Sequence, residues 1–497
     1  MQRYRFEVTL PDTGKRIEVT ARIEATRFAT VRALELDLLA PMQVSTASIG
    51  CGTQSADAPF THDGRKVSVT LPGSGEVAAA AAAMPPSRDS VCVTLRYAGA
   101  PTDGLVISVD SAKRWRAFGD NWPDRARHWL ASIDHPSDKA LVEFVVHAPA
   151  GRRVVTVSNA SPIPTYLMVI AAAPLVETRL TTTGIPQSVF TAPEQVRAMP
   201  GNFARADDIV NFFTRVIGPF PYERLAHVQS STRFGGMENA GAIFYADALF
   251  RTPHGVGVGL IAHETAHQWF GDAVTEREWG HLWLSEGFAT YFAALYTEYA
   301  FGDSAFRAER EGIRRQVMNS AVVAARPVLD TTQTDLLKLL NENSYQKGGF
   351  ILHMLRREVG DSAFFEGIRA YYAAGKHRNA LTSDLRIAME RASRRDLGWF
   401  FDQWLRRPGF PKLEISWRHD PAAETLTFLL LQGTTSPAYR FNLGVELEDP
   451  DGVKRLVQLT VPANQRVEVR LREKVPRPPQ AVRYDPFVEI LATIRTP

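Results

Sequence analysis

The chain is poor in cysteine: Cys51 and Cys92 are the only two among 497 residues. Two cysteines cannot staple a chain of this size, and they leave the redox compartment open. They are either two thiols or one disulfide. Long apolar runs are also missing. A membrane-crossing helix needs about 20 consecutive apolar residues, and the longest small-apolar run, Val77 to Met84, is mostly alanine and stops at Pro85-Pro86. It reads as a loop or a short helical turn, and no membrane partner is expected. The opening Met1-Gln2-Arg3-Tyr4-Arg5-Phe6 lacks the apolar core of a secretory leader. This predicts a cytoplasmic protein, or a periplasmic or secreted one if a leader has been removed. Charge of one sign is scarce too. Lys and Arg number 57 against 54 Asp and Glu, a net charge of +3, with no dense basic block. A nucleic-acid partner is therefore not expected.

What is present is an ordinary globular composition, 45% hydrophobic and 22% charged. The length suggests about three domains at roughly 100–200 residues each, and the chain is expected to be monomeric. Residues 1–175 read as an all-β domain. Ile17 to Ile23, Val67 to Leu71, Val91 to Leu95 and Leu141 to Val146 are strand-like, and turns such as Pro11-Asp12-Thr13-Gly14 separate such runs. Over 176–411 helical periods dominate, at Ala206 to Ile217, Leu260 to Phe270, Leu284 to Ala300, Asn343 to Glu358 and Arg394 to Leu405. Gly271 suits the end of the second of these. Alternation returns over 412–497, with a hairpin turn at Pro450-Asp451-Gly452, and predicts a small β-sandwich. The fold class is multidomain α+β.

The helix expected over 260–270 carries His263-Glu264-Thr265-Ala266-His267. Spacing of i and i+4 puts both imidazoles on one face, where they can reach a single ion such as zinc, with Zn–N bonds of about 2.0–2.1 Å. Glu264 leans to the side of that face and can hold a water without closing the site. A catalytic zinc usually takes three protein ligands and keeps one open position. Glu286, nineteen positions after His267, sits in the apolar stretch Trp283-Leu284-Ser285-Glu286-Gly287-Phe288-Ala289. A buried carboxylate needs a partner. A metal supplies one; a salt bridge is the alternative.

Three motifs taken together resemble the aminopeptidase N family of gluzincin zinc peptidases. His263-Glu264-x-x-His267 with Glu286 matches the family's metal motif. Gly235-Gly236-Met237-Glu238-Asn239 matches its G-x-M-E-N segment, and Tyr345-Gln346-Lys347-Gly348 its Tyr-x-Lys-Gly segment. Asp134-His135-Pro136-Ser137-Asp138-Lys139-Ala140 is similar to a segment of the family's N-terminal β-domain. Gln403-Trp404 and Gly409-Phe410-Pro411 are similar to its exit from the catalytic domain.

The resemblance implies a thermolysin-like, mostly helical catalytic domain and one zinc per chain, held by His263, His267 and Glu286. It implies hydrolysis of the N-terminal residue from peptides with a free amino terminus, with Glu264 as general base. Tyr345 would stabilise the oxyanion and Glu238 would bind the α-ammonium group. Gly235, Gly236, Met237 and Asn239 would line the substrate strand. The family commonly has alanine where Gly236 stands, and glycine there is expected to be tolerated. Asp272 and Thr290 are candidates for orienting a ligand.

Two features depart from the family. Counting back from Lys139-Ala140, the position where relatives carry a second amine-binding Gln or Glu is Trp122. That side chain is then missing or moved, to Asp120, and Trp122 could wall the first pocket. Many relatives also continue beyond the point of Pro497 into a helical domain that covers the cleft, so a more open cleft is expected. The alternatives are a thermolysin-type endopeptidase, an additional epoxide hydrolase activity, and a non-catalytic binding protein.

Overall fold

The computed structural model describes residues 1–28, 30–50, 55–72, 88–110, 112–181, 184–197, 199–251, 257–433 and 437–496. The expected loop at Val77 to Met84 lies outside them, as does Cys51. Cys92 is disulfide-bonded rather than a free thiol. Two compact units emerge: Met1–Trp279 with Tyr372–Leu381, and Gly280–Tyr371 with Thr382–Pro497. This division runs through the segment 176–411 that the helical pattern marks out.

The first unit begins with the expected β-structure. Arg3–Thr9 buries Tyr4, Phe6 and Val8 on one side, and Ile17–Phe28 buries Ile17, Val19, Ala21 and Ile23. These alternating faces give a six-stranded sheet in the order Leu141–His147, Arg3–Thr9, Ile17–Phe28, Arg88–Gly99, Met42–Ile49, Ala56–Asp57. All its pairs are antiparallel except the first. A four-stranded sheet contains Trp115–Asp120, which leads directly to Trp122.

The segment after residue 175 is not helical throughout. It opens with a five-stranded mixed sheet in the order Val176–Arg179, Gln187–Thr191, Leu225–Ser230, Ala242–Ala246, Gly236–Met237. Leu225–Ser230 is buried at every position and runs parallel to both neighbours. A strand covered on both faces carries no period of two, so alternation could not reveal it. The metal-motif helix spans Val258–His267, and the chain turns at Gly271, with φ 119°.

The second unit holds the helices Trp283–Phe301, Asp303–Asn319, Gly348–Val359, Thr382–Ser393 and Gly398–Leu405. The helix expected from Arg394 begins only at Gly398. Arg394 has φ 56°, a left-handed conformation that no helix interior can hold, and it follows the end of Thr382–Ser393. The C-terminal strands form two sheets. One has the order Arg466–Arg470, Thr425–Gln432, Lys412–Asp420, Thr493–Arg495, and the other Lys454–Val461, Phe441–Glu448, Ala481–Tyr484. The hairpin turn falls where expected, with Gly452 at φ 80°. No helix among the described residues is long and apolar enough to cross a membrane.

Candidate metal centre

In the first unit His263 and His267 end the helix Val258–His267, and their Nε2 atoms stand 3.1 Å apart. Two imidazoles on one tetrahedral zinc, at Zn–N of about 2.0–2.1 Å, would place these atoms roughly 3.4 Å apart. His267 is buried, and its Nδ1 lies 3.1 Å from the carbonyl oxygen of Phe270. A carbonyl only accepts, so Nδ1 carries the proton and Nε2 presents its lone pair. The pair therefore has the donor chemistry that a metal requires, and His267 the tautomer.

Glu264 and Glu238 are both buried, and their carboxylates lie with a His267 ring nitrogen in one group whose atoms are within 4.8 Å of one another. Glu238 follows the strand Gly236–Met237, which pairs antiparallel with Ala242–Ala246 at the edge of the mixed sheet. Met237 and Asn239 are buried, and Gly235 leads into the strand. A Cβ on Gly236 would overlap the Glu264 carboxylate. A methyl at 236 would fit only if that carboxylate moved, so glycine leaves the space the Glu264 side chain occupies.

Gln268, which the sequence does not single out, joins the two motifs. Its Nε2 donates to the carbonyl of Glu238 at 2.7 Å, and its Oε1 accepts from the amide of Gly241 at 2.8 Å. Asp272 does not orient a metal histidine through its carboxylate, because the Phe270 carbonyl takes that role at His267. Its own link to His267 is a backbone hydrogen bond of 3.0 Å. Complete burial, and then Glu238, push the Asp272 carboxyl well above the usual carboxylate range.

The candidates for the second amine-binding position are occupied differently. Asp120 is buried, with Oδ1 2.6 Å from Arg125 Nη2 and Oδ2 3.5 Å from Arg233 Nε. Two guanidinium groups therefore already share the charge of the residue expected to replace the missing one. Trp122 is buried and packs edge-to-face on Phe234, at 6.0 Å between centroids, and on Trp279 at 5.6 Å. It thus supports the segment that enters Gly235.

In the second unit Glu286 is buried in the first turn of the helix Trp283–Phe301. Tyr345 is half-buried within a π-helical turn, Asn343–Lys347, that leads into the helix Gly348–Val359. The two helices cross at glycine. A Cβ on Gly287 would come within 2.9 Å of the Gly348 backbone, and one on Gly349 within 3.0 Å of Thr290 Cγ2. This close approach fixes the turn bearing Tyr345 against the turn bearing Glu286. Thr290 shapes the crossing.

Residues 205–404 match the Peptidase family M1 domain. These residues thus carry an M1 peptidase domain. The chain is 27% identical over 327 residues to the probable aminopeptidase 2 of Sulfurisphaera tokodaii, covering 59% of this chain and 41% of that protein. It is 28% identical over 334 residues to the glutamyl aminopeptidase of Bos taurus, covering 60% and 35%. With the aminopeptidase N of Lactococcus lactis it shares 32% identity over 190 residues, covering 36% and 22%. The matches thus span less than half the length of each relative. Legionella pneumophila aminopeptidase A, solved in complex with aspartic acid, has the same fold. Its TM-score is 0.80 at 15% identity, over 99% of this chain and 59% of that one.

One family segment lies far from the motifs in sequence yet meets them in this protein. Lys139 Nζ donates to the carbonyls of Asp272 and Ala273 at 2.8 and 2.9 Å and to Thr275 Oγ1 at 2.9 Å. It therefore clamps the loop that follows the metal-motif helix. Burial pushes this lysine down to about 7. Nearby, Asp134 holds Arg127 at 3.1 Å.

Proposed function

We propose that this protein is a zinc-dependent aminopeptidase acting on peptides with a free N-terminus. His263, His267 and Glu286 would hold the metal. The reading is carried above all by the closeness of Glu238 to Glu264 and His267, with their ligand atoms within 4.8 Å of one another. A carboxylate at that range from the base and a metal ligand attracts an ammonium group and leaves room for one residue before the bond that is cut. An endopeptidase has no use for it.

Zinc, when bound there, supplies a Lewis acid that polarises the scissile carbonyl and acidifies water. The remaining work belongs to side chains. Glu264 accepts the water proton and returns it to the leaving amine. Tyr345, with a neutral phenol, donates a hydrogen bond to the developing oxyanion. Glu238 pairs with the α-ammonium group. The edge strand Gly236–Met237 offers backbone groups to an extended peptide. With Asp120 engaged by Arg125 and Arg233, the amine anchor rests on Glu238.

The test is a panel of aminoacyl arylamides (Ala, Leu, Arg, Glu, Asp), each free and N-acetylated, with and without chelator. Chelator-sensitive cleavage of the free forms alone supports the proposal. Equal cleavage of free and acetylated forms would point to an endopeptidase, and activity indifferent to chelator would remove the metal.

A further inference from the structure

Away from these motifs, the second unit contains a cavity of about 390 Å³ between its last helices and its C-terminal strands. Its floor is apolar and buried, made by Met354, Phe400, Trp404, Phe441 and Ile490. Its rim is ionic, and the charges do not balance. Glu358 pairs with Arg395 at 3.3 Å and Glu489 with Arg357 at 2.9 Å. That leaves one positive charge in surplus: Arg440 makes no ion pair within 4.0 Å among the described residues and acts on Glu358 only at longer range.

Arg440 is nonetheless held in place. Its guanidinium carbon lies 4.3 Å from the ring centroid of Trp399. Gln403 grips its backbone from both sides, accepting from the amide at 2.8 Å and donating to the carbonyl at 2.9 Å. A planar cation laid on an indole keeps its N–H edge for a planar anion, and a carboxylate matches that fork in two parallel hydrogen bonds. One surplus guanidinium asks for a monoanion, and the apolar floor asks for an apolar body on it. The volume falls in the range of roughly 300–1,000 Å³ usual for small-ligand pockets, at its small end.

We propose that this cavity binds a carboxylate borne on an apolar or aromatic group of amino-acid size, with Arg440 on Trp399 holding the carboxylate. Such a group comes either from the C-terminal residue of a peptide or from a free amino acid. The proposal stands independently of the peptidase reading, because it uses none of the residues assigned there.

The experiment is calorimetric titration of the zinc-loaded full chain with N-acetyl-L-phenylalanine, N-acetyl-L-phenylalaninamide and L-phenylalanine. It is run on wild type, Arg440→Gln and Trp399→Leu, with arylamide turnover and melting temperature as checks that each variant is intact. The acetylated acid should bind at least about ten-fold more tightly than its amide. Arg440→Gln should remove that advantage and leave turnover unchanged, and Trp399→Leu should weaken the acid as well. Binding of free phenylalanine that also depends on Arg440 marks the amino acid as the source. Binding of the acetylated acid alone marks a peptide C-terminus. Equal binding of acid and amide, acid binding indifferent to Arg440, or no binding at millimolar concentrations overturns the proposal.

Discussion

Gln268 ties Glu238 to the metal-motif helix, donating to its carbonyl at 2.7 Å from a fully buried position. The same amide accepts from Gly241 at 2.8 Å, so one side chain satisfies one backbone group of the G-G-M-E-N motif and one just beyond it. Replacing it with leucine leaves both groups buried and unpaired, at about 1–3 kcal/mol each. Gln268→Leu is expected to lower stability by a few kcal/mol and to raise KM for free-amine arylamides, with zinc content unchanged. Denaturant unfolding, steady-state kinetics and metal analysis check the three parts. Loss of zinc with an unchanged KM would place Gln268 in metal binding instead.

Glu238→Ala removes the proposed ammonium partner without touching a ligand. KM for free-amine substrates should rise and kcat should fall, because the peptide is no longer registered against Glu264. Zinc should stay bound. If the substitution abolishes metal binding, the second ligand-capable group, Glu238 with Glu264 and His267, has been misread.

The motifs of the candidate site were the most legible part of the sequence, because HExxH, G-x-M-E-N and Tyr-x-Lys-Gly are local signatures with fixed spacing. The supporting contacts were not. Gln268 sits one residue past a motif and acts across the fold on Glu238, and Lys139 reaches Asp272 across more than a hundred residues of chain. The Asp120 ion pair with Arg233 was hidden because Arg233 comes from a distant segment, and the one with the nearby Arg125 because no motif marks it. Among the elements, the alternating N-terminal strands could be read directly. The sheet built on Leu225–Ser230 could not, because complete burial erases the period. The late start of the last helix depends on the φ of a single residue, Arg394.

Chelation should lower the melting temperature as well as activity, and added zinc should restore both. A ligand that binds only the folded state stabilises it by about 4 kcal/mol when present at about a thousand times its Kd. Glu286→Gln should weaken zinc in a competition titration. An unchanged zinc affinity would remove Glu286 from the ligand set and leave its buried carboxylate to a salt bridge.

Tyr345→Phe deletes one hydroxyl from the π-helical turn Asn343–Lys347. Loss of one oxyanion donor costs about 10²–10³ in kcat. KM should change little, since the hydrogen bond strengthens only as charge develops. A rise in KM with kcat preserved would make Tyr345 a substrate-binding residue.

Lys347 lies two residues further on, fully buried, with its Nζ donating to the carbonyl of Arg407 at 3.3 Å. Burial pushes its pKa down to about 7 from 10.5. Below 7 both the folded and the unfolded chain carry the charge, and the folded state bears the cost of burying it. Between 7 and 10.5 the folded protein is neutral at this site while the unfolded chain still binds the proton. Stability therefore rises with pH across that window, by up to about 1.4 kcal/mol per pH unit from this group. Lys347→Met has no proton to bind in either state. Relative to wild type, the variant should gain most stability near pH 6 and less near pH 9, while all other titrations cancel in the difference. Urea unfolding of both proteins at the two pH values measures it. A difference that does not change with pH would mean that the lysine keeps its proton inside the fold.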